Sequence, residues 1–358
     1  MAAPWETTAW YDYQTDPDRF CDFEDIISAK NFIASIYCLV FVIGTFGNAV
    51  VIVIMRWKRK AKRLVDVFIT HLAIADLVFL LTLPLWAVST ALDHRWVFGG
   101  SLCKISSYIV AVNMYSSIFF LACISVDRSV AIVWSVECGH LRTRRCAILT
   151  SLLIWVLSLA LGLPALLFRN VVEYEGRWIC SEITSPSRNT FTLATRFIAF
   201  LLPLAIITVS YSSVAVKLHR HFHRMKREQQ RKRKSMKIGF WIIALFLLAW
   251  LPYNVLKTLD VLLQSSAILV SCGTQGAVRK GTLVFTCVAF VNSCVNPIIY
   301  LLFDRYFRQS FLQLLPCAVA RRLKVRSSTS QPESSRSQRR NSSLAKETEA
   351  LSAAKVAP

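Results

Sequence analysis

The chain has 358 residues, of which 54% are hydrophobic and 18% are charged, whereas a typical soluble domain has about 45–50% apolar and about 25% charged residues. The net charge is +21, from 42 basic and 21 acidic residues, and a basic excess of this kind can indicate nucleic-acid binding. The basic residues are confined to segments between apolar stretches, which is typical of membrane proteins with basic cytosolic loops, so the sequence disfavours both an ordinary soluble protein and a nucleic-acid partner.

The N-terminal segment, residues 1–30, is acidic and polar. It has no apolar core, so we predict no cleavable signal peptide and expect the first apolar stretch to direct membrane insertion. A single Arg19 is outnumbered by its acidic residues, which are Glu6, Asp12, Asp16, Asp18, Asp22, Glu24 and Asp25.

Seven apolar stretches follow, each long enough to cross a bilayer, which needs about 20 mostly apolar residues in a helix. We predict them at residues 32–56, 66–91, 101–134, 146–168, 192–218, 237–263 and 279–303. The sequence therefore predicts an all-α membrane protein, a seven-transmembrane helix bundle whose termini lie on opposite sides of the bilayer.

The basic residues cluster at 56–63, at 217–237 and from Arg305 onward. By the positive-inside rule these segments are cytosolic, so the N-terminus is predicted to be extracellular and the C-terminus cytoplasmic. We divide the chain into the segment 1–30, a seven-transmembrane domain at 31–303, an amphipathic membrane-surface helix at 304–317 ("DRYFRQSFLQLLP") and a disordered tail at 318–358.

Each apolar stretch carries polar, proline or aromatic residues in a fixed order. They are Asn48; Asp76, Pro84 and Trp86; Asp127 and Arg128; Trp155; Pro203 and Tyr211; Trp250 and Pro252; and Asn296, Pro297 and Tyr300. Together they resemble the rhodopsin-like (class A) G-protein-coupled receptors over residues 31–317. The stretches "TLPLW", "RWVFGGSLCK" and "FVNSCVNPIIYLLFDRYFR" are similar to peptide and chemoattractant receptors, namely to two orphan receptors and the apelin receptor. The stretches "RLVDVFITHLAIADL" and "LRTRRCAI" favour the orphan receptors over the apelin receptor.

The resemblance implies an activation switch. In it Asp127 restrains Arg128 in the inactive state, Trp250 and Pro252 allow span 6 to swing, and Asn296, Pro297, Tyr211 and Tyr300 support the active state. Ser129 stands where the family usually has Tyr, and the stretch "RKRKSMK" offers no second acid for Arg128. Two alternatives stay open: Asp127 and Arg128 mark the membrane boundary only, and both tyrosines are core aromatics.

Asp76 lies in the middle of the second stretch, where an unpaired carboxylate is costly. The resemblance implies an allosteric sodium ion at Asp76, which is the one cofactor that we consider. The expected partners are Asn113, Ser117, Asn292 and Ser293, of which Asn113 and Ser117 are one helical turn apart. The alternative is a protonated Asp76 in a hydrogen-bond cluster without an ion.

Most of the eleven cysteines fall within the apolar stretches and are read as small apolar residues. The resemblance implies a disulfide between Cys103 and Cys180, and a second one between Cys21 and Cys272. Cys317 follows the amphipathic helix and is a candidate for palmitoylation, with an unmodified thiol as the alternative.

The third stretch has Val110 where amine receptors carry an aspartate, so an amine ligand is disfavoured. Acidic residues on the predicted outer face instead favour a cationic peptide or a small basic, chemokine-like protein, which their field would steer. These acids are Glu173, Glu175, Asp260 and the Tyr11-Asp12-Tyr13 cluster, whose tyrosines are candidates for sulfation. We expect Trp86, Tyr108, Trp250 and Tyr253 to form the pocket floor. Arg279 and Lys280 could alternatively bind a ligand carboxylate.

The function predicted from these features is that of a receptor signalling through heterotrimeric G proteins, with inhibitory coupling implied by the resemblance. Phosphorylation of the tail would recruit arrestin, and a plain Ser-rich linker is the alternative. The candidate acceptors are Ser327, Ser328, Thr329, Ser330, Ser334 and Ser335. No nucleotide loop, metal-ligand cluster or nucleophile motif indicates an enzyme. A transporter or channel lined by Asp76 and Arg128 is the second hypothesis, although the internal repeats of many transporters are not evident.

Overall fold

The computed structural model describes residues 30–57, 64–134, 142–174, 176–183, 186–220, 228–265 and 271–314. The N-terminal segment 1–29 and the tail from residue 315 lie outside these ranges.

Helices account for most of the described residues. They are α1 (Lys30–Trp57), α2 (Val65–Leu80), α3 (Leu83–Ala91), α4 (Gly99–Ile132), α5 (Arg144–Phe168), α6 (Pro186–Arg196), α7 (Leu202–Arg220), α8 (Glu228–Ser265), α9 (Cys272–Phe303) and α10 (Arg305–Leu314), with a π-helix at Phe197–Leu201 between α6 and α7. Seven helical segments of this part of the chain are long and apolar enough to cross a membrane. The predicted seven-helix fold is therefore confirmed.

We number these segments spans 1 to 7. Span 1 is α1, span 2 is α2 with α3, span 3 is α4, span 4 is α5, span 5 is α6 with the π-helix and α7, and spans 6 and 7 are α8 and α9. Span 7 begins at Cys272 rather than near residue 279, because Arg279 and Lys280 lie at exposed helical positions and so do not end the helix.

Span 4 illustrates how the sequence selects the face that packs inward. Its buried residues Ala147, Ser151, Ile154 and Ser158 recur every three or four positions and are small or β-branched. Its other faces expose large apolar side chains such as Leu149, Leu152, Leu153 and Val156. Small residues let helices approach closely in a membrane, where lipid covers the outer apolar side chains.

Span 2 is interrupted between Leu80 and Leu83. Pro84 stands in the first turn of α3, where its missing N–H costs nothing. The hydroxyl of Thr82 donates to the carbonyl oxygen of Phe79 at 2.8 Å and so satisfies a backbone acceptor at the break. The second half of span 2, α3, carries Trp86.

Spans 1, 2 and 7 share an apolar core. The ring of Phe290 lies 5.4 Å from that of Tyr37 and 5.0 Å from that of Phe79, measured between centroids. Gly47 approaches Pro297 so closely that a Cβ built there would lie 2.9 Å from the proline Cβ. Span 1 therefore packs its backbone directly against span 7.

An antiparallel hairpin of β1 (Arg169–Tyr174) and β2 (Arg177–Glu182) joins spans 4 and 5. Gly176 has φ of 71° in the turn, a conformation that favours glycine. The predicted disulfide is present: Cys180 of β2 bonds to Cys103 in span 3, with a Cα–Cα distance of 5.6 Å. We call this end of the bundle the hairpin end, and the other end the Arg128 end.

The amphipathic helix predicted after span 7 corresponds to α10, which belongs to a separate compact unit. Its apolar residues Phe307, Phe311 and Leu314 recur at i, i+4 and i+7, which places them on one face. Its position on a membrane surface stays a prediction.

Candidate functional site

Asp76 is the centre of a buried polar cluster. The residue is 1% exposed, and its carboxylate accepts hydrogen bonds from two spans. On Oδ1, the Nδ2 of Asn113 donates at 3.0 Å and the Oγ of Ser293 at 2.9 Å, while the Nδ2 of Asn296 donates to Oδ2 at 3.0 Å. Spans 2, 3 and 7 are thus joined by one carboxylate.

Asn48 extends this cluster to span 1. Its Nδ2 donates to the carbonyl oxygen of Gly44 at 3.0 Å and to that of Ser293 at 2.9 Å. Ser293 is thus held twice: its carbonyl oxygen accepts from Asn48, and its hydroxyl donates to Asp76. Both bonds hold the same turn of span 7.

The cluster has the chemistry of a small cation site. Ser117, one turn after Asn113, is buried, and its hydroxyl has no hydrogen-bond partner among the described residues. A carboxylate beside hydroxyl and amide oxygens is the donor set that hard cations prefer. The residues therefore fit the sodium ion that the sequence led us to consider.

Two asparagines of span 7 are placed differently from the prediction. Asn296, which we assigned to the activation switch, binds Asp76 directly. Asn292 is buried, but it precedes Ser293 by one residue and so points about 100° around the helix from it. The three-residue spacing of Ser293 and Asn296 was the sequence signal for a shared face.

Trp250 lies in span 6 on the hairpin side of this cluster and is buried. Its ring packs edge to face on Tyr253, with centroids 5.6 Å apart. Pro252 has no N–H to offer the helix ladder. Asn254 adds a bond near this point, because its Nδ2 donates to the carbonyl oxygen of Trp250 at 2.8 Å.

At the hairpin end, charged residues of β1, β2 and span 6 form a chain of ion pairs. Arg169 Nη2 lies 3.3 Å from Glu182 Oε1, and Lys257 Nζ lies 3.4 Å from Glu182 Oε2. Lys257 Nζ is also 3.3 Å from Asp260 Oδ2. With Arg196 of span 5, which binds Asn254, we call these residues the charged cluster: Arg169, Glu182, Arg196, Lys257 and Asp260.

The other predicted ligand residues lie around this end. Trp86 packs on Trp96 at 5.1 Å between ring centroids, and Glu173 and Arg279 are exposed. The hydroxyl of Tyr108 donates to the carbonyl oxygen of Leu159 at 3.0 Å and so is directed at span 4. Sequence reasoning did not select Arg169, Glu182, Arg196 or Lys257.

At the Arg128 end, Asp127 has a charged partner that the sequence did not indicate. The Nε and Nη2 of Arg142 donate to its Oδ1 at 3.1 and 3.0 Å, and the side chains are 35% and 6% exposed for Arg142 and Asp127. Arg128 follows Asp127 in span 3, and Tyr211 lies in span 5. Lys217 of span 5 donates to the carbonyl oxygen of Val133 at 2.6 Å, at the end of span 3.

The order of these features along the chain matches a known family. Residues 47–300 match the family described as "7 transmembrane receptor (rhodopsin family)". The chain belongs to this family of rhodopsin-like receptors. It is therefore a seven-span membrane receptor rather than an enzyme, and the resemblance inferred from its motifs is confirmed.

Curated relatives of this receptor align over most of their length. Apelin receptor A of Danio rerio is 40% identical over 325 residues, which cover 87% of this chain and 90% of the relative. Apelin receptor B of Xenopus laevis is 38% identical, with 86% and 88% covered. The type-1 angiotensin II receptor of Canis lupus familiaris is 37% identical, with 79% and 80% covered.

Several predicted features of the receptor fall outside the described residues. They are Cys21, Glu175, Cys317, the tyrosines at 11 and 13 and the tail serines, together with the side chains of Cys272 and of the "RKRKSMK" stretch. The second disulfide, sulfation, palmitoylation and tail phosphorylation stay predictions.

Proposed function

We propose that this receptor is activated at the cell surface by an extracellular peptide or a small basic, chemokine-like protein, and that it signals through heterotrimeric G proteins. The names of its relatives support a peptide ligand, since apelin and angiotensin II are peptides. No covalent chemistry is assigned to any residue. A transporter or channel has no support from the family to which the chain belongs.

The observation that carries the proposal is the position of the charged cluster relative to Trp250. Charged groups inside a membrane bundle are costly and mark functional sites. Arg196 contacts Asn254, and Asn254 in turn binds the main chain of Trp250. A ligand at the hairpin end thus acts on the proline-containing segment of span 6 over two side-chain contacts.

Two independent arguments support an extracellular hairpin end. The disulfide of Cys103 and Cys180 requires an oxidising compartment. The basic residues that follow spans 1 and 5 and precede span 4 in the sequence, at 56–63, 217–237 and 142–145, follow the positive-inside rule. Both arguments support an N-terminus outside the cell and an Arg128 that faces the cytosol, the topology that we propose for a plasma-membrane receptor.

The ligand that we infer carries positive charge on its body. The acidic N-terminal segment and the exposed Glu173 would attract it and raise its association rate. Asp260 contributes less than the sequence suggests, because its carboxylate is already paired with Lys257. The electrostatic attraction of a cationic ligand therefore depends on the N-terminal acids more than on Asp260 of span 6.

Inside the bundle, Asp76 with Asn113, Ser117, Ser293 and Asn296 would hold a sodium ion in the inactive receptor. When bound, the ion would supply positive charge to a buried carboxylate. At the cytosolic end Asp127, neutralised in part by Arg142, restrains Arg128, and an inhibitory-type G protein and then arrestin bind there.

The test is agonist-dependent suppression of cAMP in cells that lack other responsive receptors. The panel contains apelin, angiotensin II and basic chemokines. We expect at least one response, which Arg128→Ala abolishes while Arg145→Ala, an exposed basic residue at the same end, preserves it. A response that survives Arg128→Ala at equal surface expression would contradict the assigned switch. Failure of all G-protein readouts with every peptide would contradict the proposed function.

A further inference from the structure

Lys217 is a cation at the Arg128 end that the activation scheme does not use. It lies in α7, the last part of span 5, and its Nζ donates to the carbonyl oxygen of Val133 at 2.6 Å. The two residues are 84 positions apart in the sequence. The bond therefore joins the end of span 5 to the end of span 3.

The position of Lys217 on its helix directs the side chain into the bundle. Ser210 and Val214 are buried and lie seven and three residues before Lys217, which places all three on one face of α7. Lys217 itself is half-buried. A lysine on a lipid-facing side would extend its ammonium to the headgroups, whereas this ammonium exchanges water for a main-chain acceptor of another span.

The acceptor belongs to a helix end that needs a donor. Val133 follows the last residue of α4, and its own N–H donates to the carbonyl oxygen of Ser129 at 2.7 Å. The last carbonyl groups of a helix receive no N–H from that helix and form the negative end of its dipole. The last turn of α4 has no basic residue of its own, so Lys217 supplies both the donor and the positive charge that cap span 3.

Arg128 lies between two attachments of this kind. Asp127, directly before it, accepts hydrogen bonds from Arg142, which precedes span 4. Val133, five residues after it, accepts from Lys217 of span 5. The first attachment acts on the acid that restrains Arg128, and the second acts on the main chain of the segment that carries Arg128.

We propose that Lys217 is a positioning residue of the switch, which caps span 3 from span 5 in the resting receptor and loses this bond on activation. The inference rests on the proposed function, which it extends from span 6 to span 5. The bond requires the ends of spans 3 and 5 to stay within reach of one side chain, so a conformation that separates these ends breaks it. Because the bond is present only in the resting conformation, it lowers the population of the active one.

The test measures nucleotide exchange on the inhibitory-type heterotrimer by purified full-length receptor in nanodiscs, without peptide. Lys217→Met keeps the side-chain length and removes the charge. We expect it to raise basal exchange about fivefold, the shift of a two-state equilibrium that follows the loss of one hydrogen bond. Lys217→Arg, which retains donors and charge, should stay close to wild type. Adding Arg128→Ala to Lys217→Met should abolish the increase, because the effect is exerted through Arg128.

Arg145→Met is the matched control, since Arg145 is an exposed basic residue in the first turn of span 4; we expect wild-type exchange from it. The Tm of each sample separates a positioning role from a merely structural one. A structural role would lower Tm and exchange together, whereas Lys217→Met is expected to lower Tm and raise exchange.

Three results would overturn the inference: basal exchange in Lys217→Met that does not exceed that of an active wild-type receptor, an equal increase in Arg145→Met, or an increase that survives Arg128→Ala. The inference then fails alone, because the wild-type receptor still acts on the G protein. A wild-type receptor that accelerates exchange on no heterotrimer with any peptide would contradict the proposed function itself.

Discussion

Asp76 joins three helices of the bundle, because its carboxylate on span 2 accepts hydrogen bonds from donors of spans 3 and 7. Hydrogen bonds to a carboxylate are charge-assisted and roughly twice as strong as neutral ones. A bound cation would balance the negative charge of this buried carboxylate. The hydroxyl of Ser117, which has no partner among the described residues, would be available to ligate that cation. Both properties depend on the negative charge of one residue.

We expect Asp76→Asn to remove the sodium dependence of stability. In the wild-type receptor, replacing choline by sodium in the buffer should raise the Tm, since a bound cation stabilises the folded state by mass action. The variant should show the same Tm in both buffers. Asp260→Asn, which alters a carboxylate that is paired with Lys257 at the hairpin end, should keep the sodium effect. A sodium effect that persists in Asp76→Asn would exclude the proposed ion site.

The pair of Asp127 and Arg142 leads to a second prediction for single residues. Asp127→Asn should raise basal signalling, because it removes the acid that restrains Arg128. Arg142→Gln should lower basal signalling, because Asp127 is then no longer neutralised in part and restrains Arg128 more strongly. A double-mutant cycle on Tm should give a coupling of about 1 kcal/mol, the upper range for a pair in which one partner is partly exposed. Independent effects of the two substitutions would show that the pair makes no energetic contribution.

How far the sequence predicts the site differs from residue to residue. Asp76 was identifiable, because a carboxylate within an apolar stretch needs partners. Arg142 was not, since it is 15 residues from Asp127 in the sequence and no helical periodicity links the two. Arg196 was hidden by the π-helix, whose additional residue turns the preceding part of span 5 by about 100° relative to a continuous α-helix.

At the scale of elements, the close approach of spans 1 and 7 depends on Gly47. Its substitution by Ala would place a methyl group 2.9 Å from the rigid ring of Pro297. We expect a loss of about 1–3 kcal/mol, the usual cost of overpacking, seen as a lower Tm. Gly273→Ala is the control within span 7, because a methyl group added there would meet no described side chain within 4 Å; it should leave Tm unchanged or raise it slightly. Equal effects of the two substitutions would refute the packing argument.

The start of span 1 is tied to the loop before span 3 by an ion pair. Lys30 Nζ lies 2.7 Å from Asp93 Oδ1, and its hydrogen bond lowers the pKa of Asp93 below the ordinary value. Because the pKa of Asp93 is lowered in the folded state, the ion pair contributes fully to the free energy of unfolding above the ordinary aspartate pKa of about 3.9. This contribution is lost as the pH falls through the lowered pKa.

We therefore expect the Tm difference between wild type and Asp93→Asn to be the same at cell-surface and endosomal pH, and to disappear only in stronger acid. Thermal unfolding in detergent across this pH range measures it. A difference that vanishes already at endosomal pH would contradict the assigned pairing of Lys30 and Asp93.

Elements were the most predictable level of the structure. Apolar length alone indicates seven spans, because a helix must satisfy its backbone within the bilayer. The start of span 7 was less predictable, since Arg279 and Lys280 are accommodated on exposed positions of the helix. The hairpin was not predicted at all, because Arg169–Glu182 alternates only weakly and its position depends on the bond from Cys180 to span 3.

At the scale of the whole molecule, three polar regions lie along one bundle. The charged cluster is at the hairpin end, Asp76 is in the interior, and Asp127 with Arg128 is at the opposite end. Trp250 and its neighbours in span 6 stand between the first two. This arrangement suits a protein whose two ends bind different partners and which transmits a change of conformation between them.

Nucleotide exchange on purified heterotrimeric G proteins tests this account most directly. The receptor is reconstituted in nanodiscs, and GTP-analogue uptake by inhibitory, stimulatory and Gq-type heterotrimers is recorded with and without the peptide panel. We predict faster exchange on the inhibitory type than empty nanodiscs give, a further increase with at least one peptide, and loss of both in Arg128→Ala. A folded receptor that accelerates exchange on none of these heterotrimers, with any peptide, would contradict the central claim.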